Sequence, residues 1–480
     1  MFRYMVWENS LKKSRTASIP RYMNHPLVKG TFFLSLAGIL SRIIGFLFRI
    51  FFSRNFGAEA MGIYQMILPI LALSYAFTSS GLQTAISKLV AEHTDNASEQ
   101  HKQLYTGICL SLFLSALACG YLYFRADSLS IHLLNEPQTA SLLRIGALSI
   151  PLAAIHGCVC GYFYGIQKAF VPAISQLLEQ LVRVGSICFL FYIIKGNNRE
   201  PSINLIALGL TFGEAASMLF SLLFFCLSPS VRHVRMSPDI QSIKPGYKRS
   251  RALLGLAIPL CSTRIAIHFL QSIEASALPA CLVLYGYTHS ESLSLYGILT
   301  GMSLPVVLLP TVLTGSIAVM LLPIISEAKS TGNLQKVKTS IELSIRYSLY
   351  AGSVCTLLFC ILGKSVGSIL FHNELSGHYI QVLGFLCPFM YIAGTLTSIM
   401  NGLGKTVTTF FISNLSMLVR LAMVYFFVPV YGMEGYLWTI LASQILQTLL
   451  CVIYCKQIVI RRVDHRSNRK SSPLLPSPTP

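Results

Sequence analysis

Six arginines stand inside apolar stretches of this 480-residue chain: Arg42, Arg49, Arg144, Arg183, Arg264 and Arg420. Three acids accompany them, Glu179, Glu214 and Glu274. A guanidinium at membrane depth costs on the order of 3 kcal/mol or more, so it normally faces a protein interior or a watery cavity. The chemistry it offers there is a bidentate grip on carboxylate or phosphate oxygens. Arg42 and Arg49 lie seven residues apart in TFFLSLAGILSRIIGFLFRIFF, residues 31–52. A helix therefore points both the same way, ~10 Å apart along its axis. Ser35, Gly38 and Ser53 share that face, and this spacing suits an extended head group such as a diphosphate carrying sugars. Six buried cations against three acids point to an anionic ligand. A cavity that expels cationic drugs should be lined with carboxylates instead.

Two further stripes carry hydrogen-bonding groups. Arg264, His268 and Gln271 fall within about 60° on a helical wheel, with Glu274 to one side. Gln176, Glu179, Arg183 and Ser186 form a similar face. Glu179 and Arg183 are spaced i,i+4 and read first as an ion pair. Arg144 lies within a turn of its span's end and reads as snorkelling. Arg420 has no acid near it on its own helix. The candidate ligand-binding set is thus Arg42, Arg49, Arg264, Gln271, Arg183, Arg420 and Glu274. Glu274 and Asn414, on separate helices, give only a weak signal for a cation site, and the coupling ion or other energy source is not readable. The thirteen cysteines sit mostly in apolar runs and read as small hydrophobes, while the eleven histidines are scattered. No metal-ligand spacing, nucleophile motif or phosphate loop emerges, so no cofactor, metal or catalytic residue is predicted.

The elements that must position these groups are membrane helices. The chain is 53% hydrophobic and 11% charged, against roughly 25% charged for a soluble domain, and its mean hydropathy is +0.62. Apolar stretches of about 17–25 residues occur at 31–52, 60–85, 104–124, 142–166, 171–194, 203–227, 252–277, 347–363, 379–403, 407–428 and 436–454. A longer one, 293–325, contains Pro305 and Pro310, which predict a bend. Twelve spans put both termini on one side. Placing them in the cytoplasm puts 26 of the 37 Lys and Arg inside and five outside, as the positive-inside rule requires. That bias accounts for the net charge of +19 without nucleic acid. The basic segment 1–30 lacks an apolar core, so the first span is expected to act as its own signal.

The loop 228–251, basic and proline-containing, divides the spans six and six. A shift of 237 places Pro151 on Pro388, Gly165 on Gly402, Lys168 on Lys405, and Leu181-Val182-Arg183 on Leu418-Val419-Arg420. A shift of 222 places Ser41-Arg42-Ile43 on Thr263-Arg264-Ile265, making Arg264 the counterpart of Arg42. The expected fold is all-α and polytopic: parallel repeats as two six-helix lobes, 31–227 and 252–460, around a central cavity. The Pro/Ser-rich tail 461–480 is expected to be disordered.

Three runs carry a family likeness: SRIIGFLFRIFFSRNFGAEAMGIYQ at 41–65, LQSIEASALP at 270–279, and LYGILTGMSLPVVLLPTVLTGSIAVMLLPIISEA at 295–328. Over about residues 27–460 the chain resembles the stage V sporulation protein B branch of the multidrug/oligosaccharidyl-lipid/polysaccharide exporter superfamily. The resemblance implies outward translocation of an undecaprenyl-diphosphate-linked glycan, for this branch the peptidoglycan precursor of spore cortex. It further implies a cell-membrane location, around the forespore in a spore former, and peptidoglycan synthesis enzymes as partners. The related MurJ-type lipid II flippases open their first helix with a motif matched by Ser41, Arg42, Gly45 and Phe46. They also carry arginines on helices two and eight and two extra C-terminal helices. Here Leu73 and Ser74 stand in the second helix, no Lys or Arg lies between Leu293 and Ile325, and no apolar segment follows Tyr454. Alternatives are export of another lipid-linked repeat unit or, from a different class, a cation or drug antiporter dependent on Glu179, Glu214 or Glu274. A membrane enzyme would need clustered loop carboxylates, which are dispersed.

Overall fold

A computed structural model describes residues 26–93, 96–228, 247–311 and 334–470. Most of the head segment, the centre of the 228–251 loop, the second half of the eighth span and the last ten residues lie outside them. The described residues form α-helices and two short π-helical turns. In chain order they are α1 (Pro26–Tyr75), a π-turn (Ala76–Ser80), α2 (Gly81–Glu92), α3 (Ala97–Phe124), α4 (Ala126–His132), α5 (Thr139–Ala147) and α6 (Ser149–Gly165). Next come α7 (Phe170–Gly196), α8 (Asn204–Leu227), α9 (Tyr247–Tyr285), α10 (His289–Gly297), a second π-turn (Ile298–Ser303) and α11 (Leu304–Leu308). The last four are α12 (Leu334–Phe371), α13 (Glu374–Gly384), α14 (Cys387–Gly402) and α15 (Thr406–Lys470).

Among the described residues nine helical stretches are long and apolar enough to cross a membrane, and the bent pair α13–α14, angled at 55°, makes a tenth. Two of the nine are double. Gly57 (φ 84, ψ −179) breaks α1 and Gly432 (φ 58, ψ −139) breaks α15. Those backbone angles are open to glycine and strained for other residues, so each glycine marks the junction between two spans. Counted through both breaks, the order is that of the twelve apolar stretches. α15 also runs on through Lys470. Residues 461–470 are therefore helical where the composition predicted disorder; they are rich in Arg and Lys, good helix formers, and contain no proline.

The molecule divides into two compact units that do not follow the chain's midpoint. Unit one takes α1 through Leu47, then Leu71–Leu129 and Ala140–Ile265; unit two takes Phe48–Ile70, Ser130–Thr139 and everything from Ala266. The lobe boundaries expected at 31–227 and 252–460 thus differ from the contact units at three segments. At 48–70 and 252–265 the cause is close packing at small residues, which lets helix backbones touch, and at 130–139 Glu136 bonds to His289 of unit two. In unit two, a Cβ at Gly62 would lie 2.1 Å from Leu293 O, and one at Gly297 would lie 2.1 Å from Ala58 O. In unit one, a Cβ at Gly81 would lie 2.0 Å from Cys261 Sγ and 2.7 Å from Ala257 O, which seats the first half of α9 against α2.

Unit one holds a glycine ladder on α6. Gly157, Gly161 and Gly165 are four apart, and side chains there would meet Ser79, Gln83 O and Ser87 O. Around that contact lies a core that includes Leu82, Ile86, Val90, Tyr162, Phe163 and Phe225. Gly209 and Gly213 on α8 do the same against the backbone of α7 at Arg183 and Glu179. The ladder on α6 thus seats that helix on α2, and Gly209 and Gly213 draw α8 onto α7 where Glu179 and Glu214 lie. In unit two, Ile392, Leu396, Ile399 and Met400 of α14 pack with Cys451 and Cys455 of α15.

Candidate functional site

Of the six in-span arginines, four are engaged by the protein itself. Pro305 explains the first. A proline has no N–H to donate to the carbonyl four residues back, or five back in a π-turn. Those carbonyls are Gly301 O and Thr300 O, and Arg49 Nη1 donates to both, at 3.1 and 3.4 Å. A π-turn precedes Pro305, and a half-buried guanidinium plugs the acceptors that the proline frees. Ser53, one turn on, is buried and donates to Met302 Sδ at 3.4 Å.

Arg183 forms its i,i+4 ion pair with Glu179 on α7. Its repeat counterpart Arg420 has Ser416 where an acid would stand and reaches another helix instead: Nη2 lies 2.8 Å from Glu274 Oε2 on α9. Tyr436 donates to the other oxygen, Oε1, at 2.9 Å. Glu274 is buried, so the pair and the phenol satisfy one another inside unit two. Beside Arg420 lies a cavity of about 210 Å³, lined by Ile267, Met417, Ser413, Ser416, Gln444 and Gln447 among others. Arg144 pairs with Asp127 at the surface and does not simply snorkel. Gln271 is held by His268, Nδ1 to Oε1 at 2.9 Å.

Arg42 and Arg264 behave differently. Both side chains are exposed, and neither has a hydrogen bond or ion pair among the described residues. They keep all ten guanidinium N–H donors of the pair available for a ligand. Both also belong to unit one. The repeat led us to expect them on opposite lobes; the packing of α9 on Gly81 groups them instead.

Sequence reasoning missed several polar groups. Arg54 donates to Leu370 O and Ile369 O at 2.9 and 2.6 Å, capping the last turn of α12. His289 meets Glu136 at 2.6 Å and Ser290 meets Glu59 at 2.7 Å within unit two. His156 on α6 approaches Glu214, Nδ1 to Oε2 at 3.9 Å. It gave no spacing signal because its partners come from α7 and α8.

This pattern of helices and arginines can now be set against known proteins. The family described as "Polysaccharide biosynthesis protein" matches residues 27–329. The chain belongs to that family. It is 27% identical to "Stage V sporulation protein B" of Bacillus subtilis (strain 168), over 88% of this chain and 82% of the relative. It is 23% identical to "Lipid II flippase MurJ" of the same organism, over 72% of this chain and 64% of the relative. Among solved structures, a "Lipid II flippase MurJ, inward closed conformation" superposes with TM-score 0.67 at 17% identity, covering 88% of this chain and 87% of that one. An "Inward-facing conformation of a multidrug resistance MATE family transporter of the MOP superfamily" superposes with TM-score 0.73 at 12% identity, covering 90% and 96%. The all-α transporter fold is therefore shared with both branches.

Proposed function

We propose that this family member is a flippase for an undecaprenyl-diphosphate-linked glycan of the lipid II type, moved outward by alternating access, and that Arg42 and Arg264 bind its diphosphate. The observation that carries this reading is the contrast among the arginines. Arg49, Arg183 and Arg420 have protein partners, whereas Arg42 and Arg264 are exposed. A span that keeps an expensive charge without an internal partner has reason to do so if an anion fills the role. Phosphate oxygens suit guanidinium well. The relatives named for sporulation and for lipid II flipping support this cargo and, in a spore former, supply to the cortex at the forespore membrane. The charge bias of the loops supports cytoplasmic termini.

Purified protein in detergent, offered undecaprenyl diphosphate and undecaprenol, tests the site by native mass spectrometry. The diphosphate should bind and the alcohol should not, and Arg42→Ala and Arg264→Ala should each weaken binding by tenfold or more, the loss of about 1.4 kcal/mol or greater. Equal binding by both variants removes these residues from the site. Export of a different lipid-linked repeat unit is the second reading, favoured by the family's broader description. It predicts the same dependence on the two arginines with a different preferred glycan.

A further inference from the structure

Three donor residues from three helices converge in unit one: His156 on α6, Glu179 on α7 and Glu214 on α8. One ligand-type atom from each, an imidazole nitrogen and two carboxylate oxygens, all lie within 4.8 Å of one another. Glu214 is 8% exposed. Its carboxylate approaches His156 Nδ1 at 3.9 Å and accepts no side-chain hydrogen bond of ordinary length among the described residues.

The charges do not balance. Glu179 and Glu214 contribute two negative charges, Arg183 on Glu179 contributes one positive, and a neutral imidazole contributes none. A buried carboxylate without full compensation is costly. A proton on His156, with Nδ1–H directed to Ser217 Oγ at 3.3 Å, would supply the missing charge in one way, and a bound cation in another. The 3.9 Å between His156 Nδ1 and Glu214 Oε2 leaves room for the second, since it is a separation that two ligands of one ion show. With metal–ligand bonds of about 2.0–2.2 Å, donors lie roughly 3.4 Å apart in a tetrahedron and about 4 Å apart at wider angles.

The outer groups fit as well. The far nitrogen of His156, Nε2, meets Ser175 Oγ at 3.0 Å, and Ser175 Oγ itself donates to Pro172 O at 3.0 Å. A ligating imidazole is commonly held in this way by a hydrogen bond at its other nitrogen. Ser217 Oγ, 3.3 Å from Nδ1, donates at 3.0 Å to Glu214 O, so it faces Nδ1 as an acceptor, and an ion on Nδ1 would take the place of that contact. Glu179 gives one oxygen to Arg183, and a carboxylate has a second to offer.

We infer that His156, Glu179 and Glu214 form a binding site for a divalent first-row transition metal ion, with zinc the best match to a mixed imidazole and carboxylate donor set. The ion ties α6, α7 and α8 into one body. The inference stands independently of the flippase reading, since its test measures metal binding and not transport.

The test uses full-length protein in detergent, stripped with chelator and titrated with Zn²⁺ by calorimetry and with Co²⁺ by visible absorption. One equivalent should bind, Co²⁺ should give d–d bands between about 500 and 650 nm, and Zn²⁺ should raise the melting temperature. His156→Ala and Glu214→Gln should abolish the bands and the thermal shift while eluting as folded monodisperse protein. Glu179→Asp, which keeps a carboxylate, should retain binding at reduced affinity. No uptake by the wild type overturns the inference, as does uptake unchanged in His156→Ala, which would place the ion elsewhere. A proton-only site would show neither bands nor a zinc-dependent shift.

Discussion

At the scale of single residues, what separates the arginines is the supply of acceptors. Arg420 and Glu274 form a buried pair, so removing one partner strands the other in low dielectric. Glu274→Gln and Arg420→Met should each destabilise by about 3–5 kcal/mol, read as a loss of melting temperature in detergent. The double variant should recover much of it, and the recovery distinguishes a structural pair from a ligand site. Arg49→Met leaves the Thr300 and Gly301 carbonyls without their donor, a loss of about 1–3 kcal/mol, and Arg49→Lys should restore part of it. Residual transport by Arg49→Met, corrected for folded protein, should stay near wild type. The spacing of Arg42 and Arg49 was legible because a seven-residue interval repeats a helix face. Their different fates were not, because neighbours change along one face: Arg49 meets a proline-disrupted turn 251 and 252 positions away in sequence, which no local pattern records. Glu179–Arg183 was legible because both partners lie on one helix, and Arg420–Glu274 was hidden because they do not.

At the scale of elements, hydropathy located the apolar stretches but not the helix ends. α1 begins at Pro26 and passes its apolar stretch to reach Gly57, because a helix continues through polar Ser53, Arg54 and Asn55 as readily as through leucine when nothing breaks it. The contacts of α6 with α2 and of α8 with α7 depend on closely spaced glycines. A side chain at Gly161 would meet Gln83 O at 2.5 Å, and one at Gly213 would meet Glu179 O at 2.8 Å, both backbone atoms. Gly161→Leu and Gly213→Leu should therefore push whole helices apart, at a cost of ~3 kcal/mol or more. They should lower the yield of monodisperse protein, whereas the same change at Gly185, which has open space around it, should leave the yield unaltered. The sequence showed these glycines, but the facing carbonyls depend on tertiary packing and left no pattern to read.

At the scale of the whole molecule, the repeat predicted two lobes of six spans, and composition, spacing and charge bias together made the all-α transporter fold legible. The contact units depart from that division at 48–70, 130–139 and 252–265, through glycine contacts at the first and last and the His289–Glu136 bond at the second, none of which the repeat encodes. The central claim is that the molecule carries a lipid-linked diphosphate across the membrane on Arg42 and Arg264. Its most direct measurement is translocation of fluorescent lipid II in proteoliposomes, with wild type, Arg42→Ala, Arg264→Ala and the double variant reconstituted at equal folded amounts. The account predicts transport by wild type, a loss of tenfold or more in each single variant, and background rates in the double variant. Wild-type rates in all three variants would contradict it.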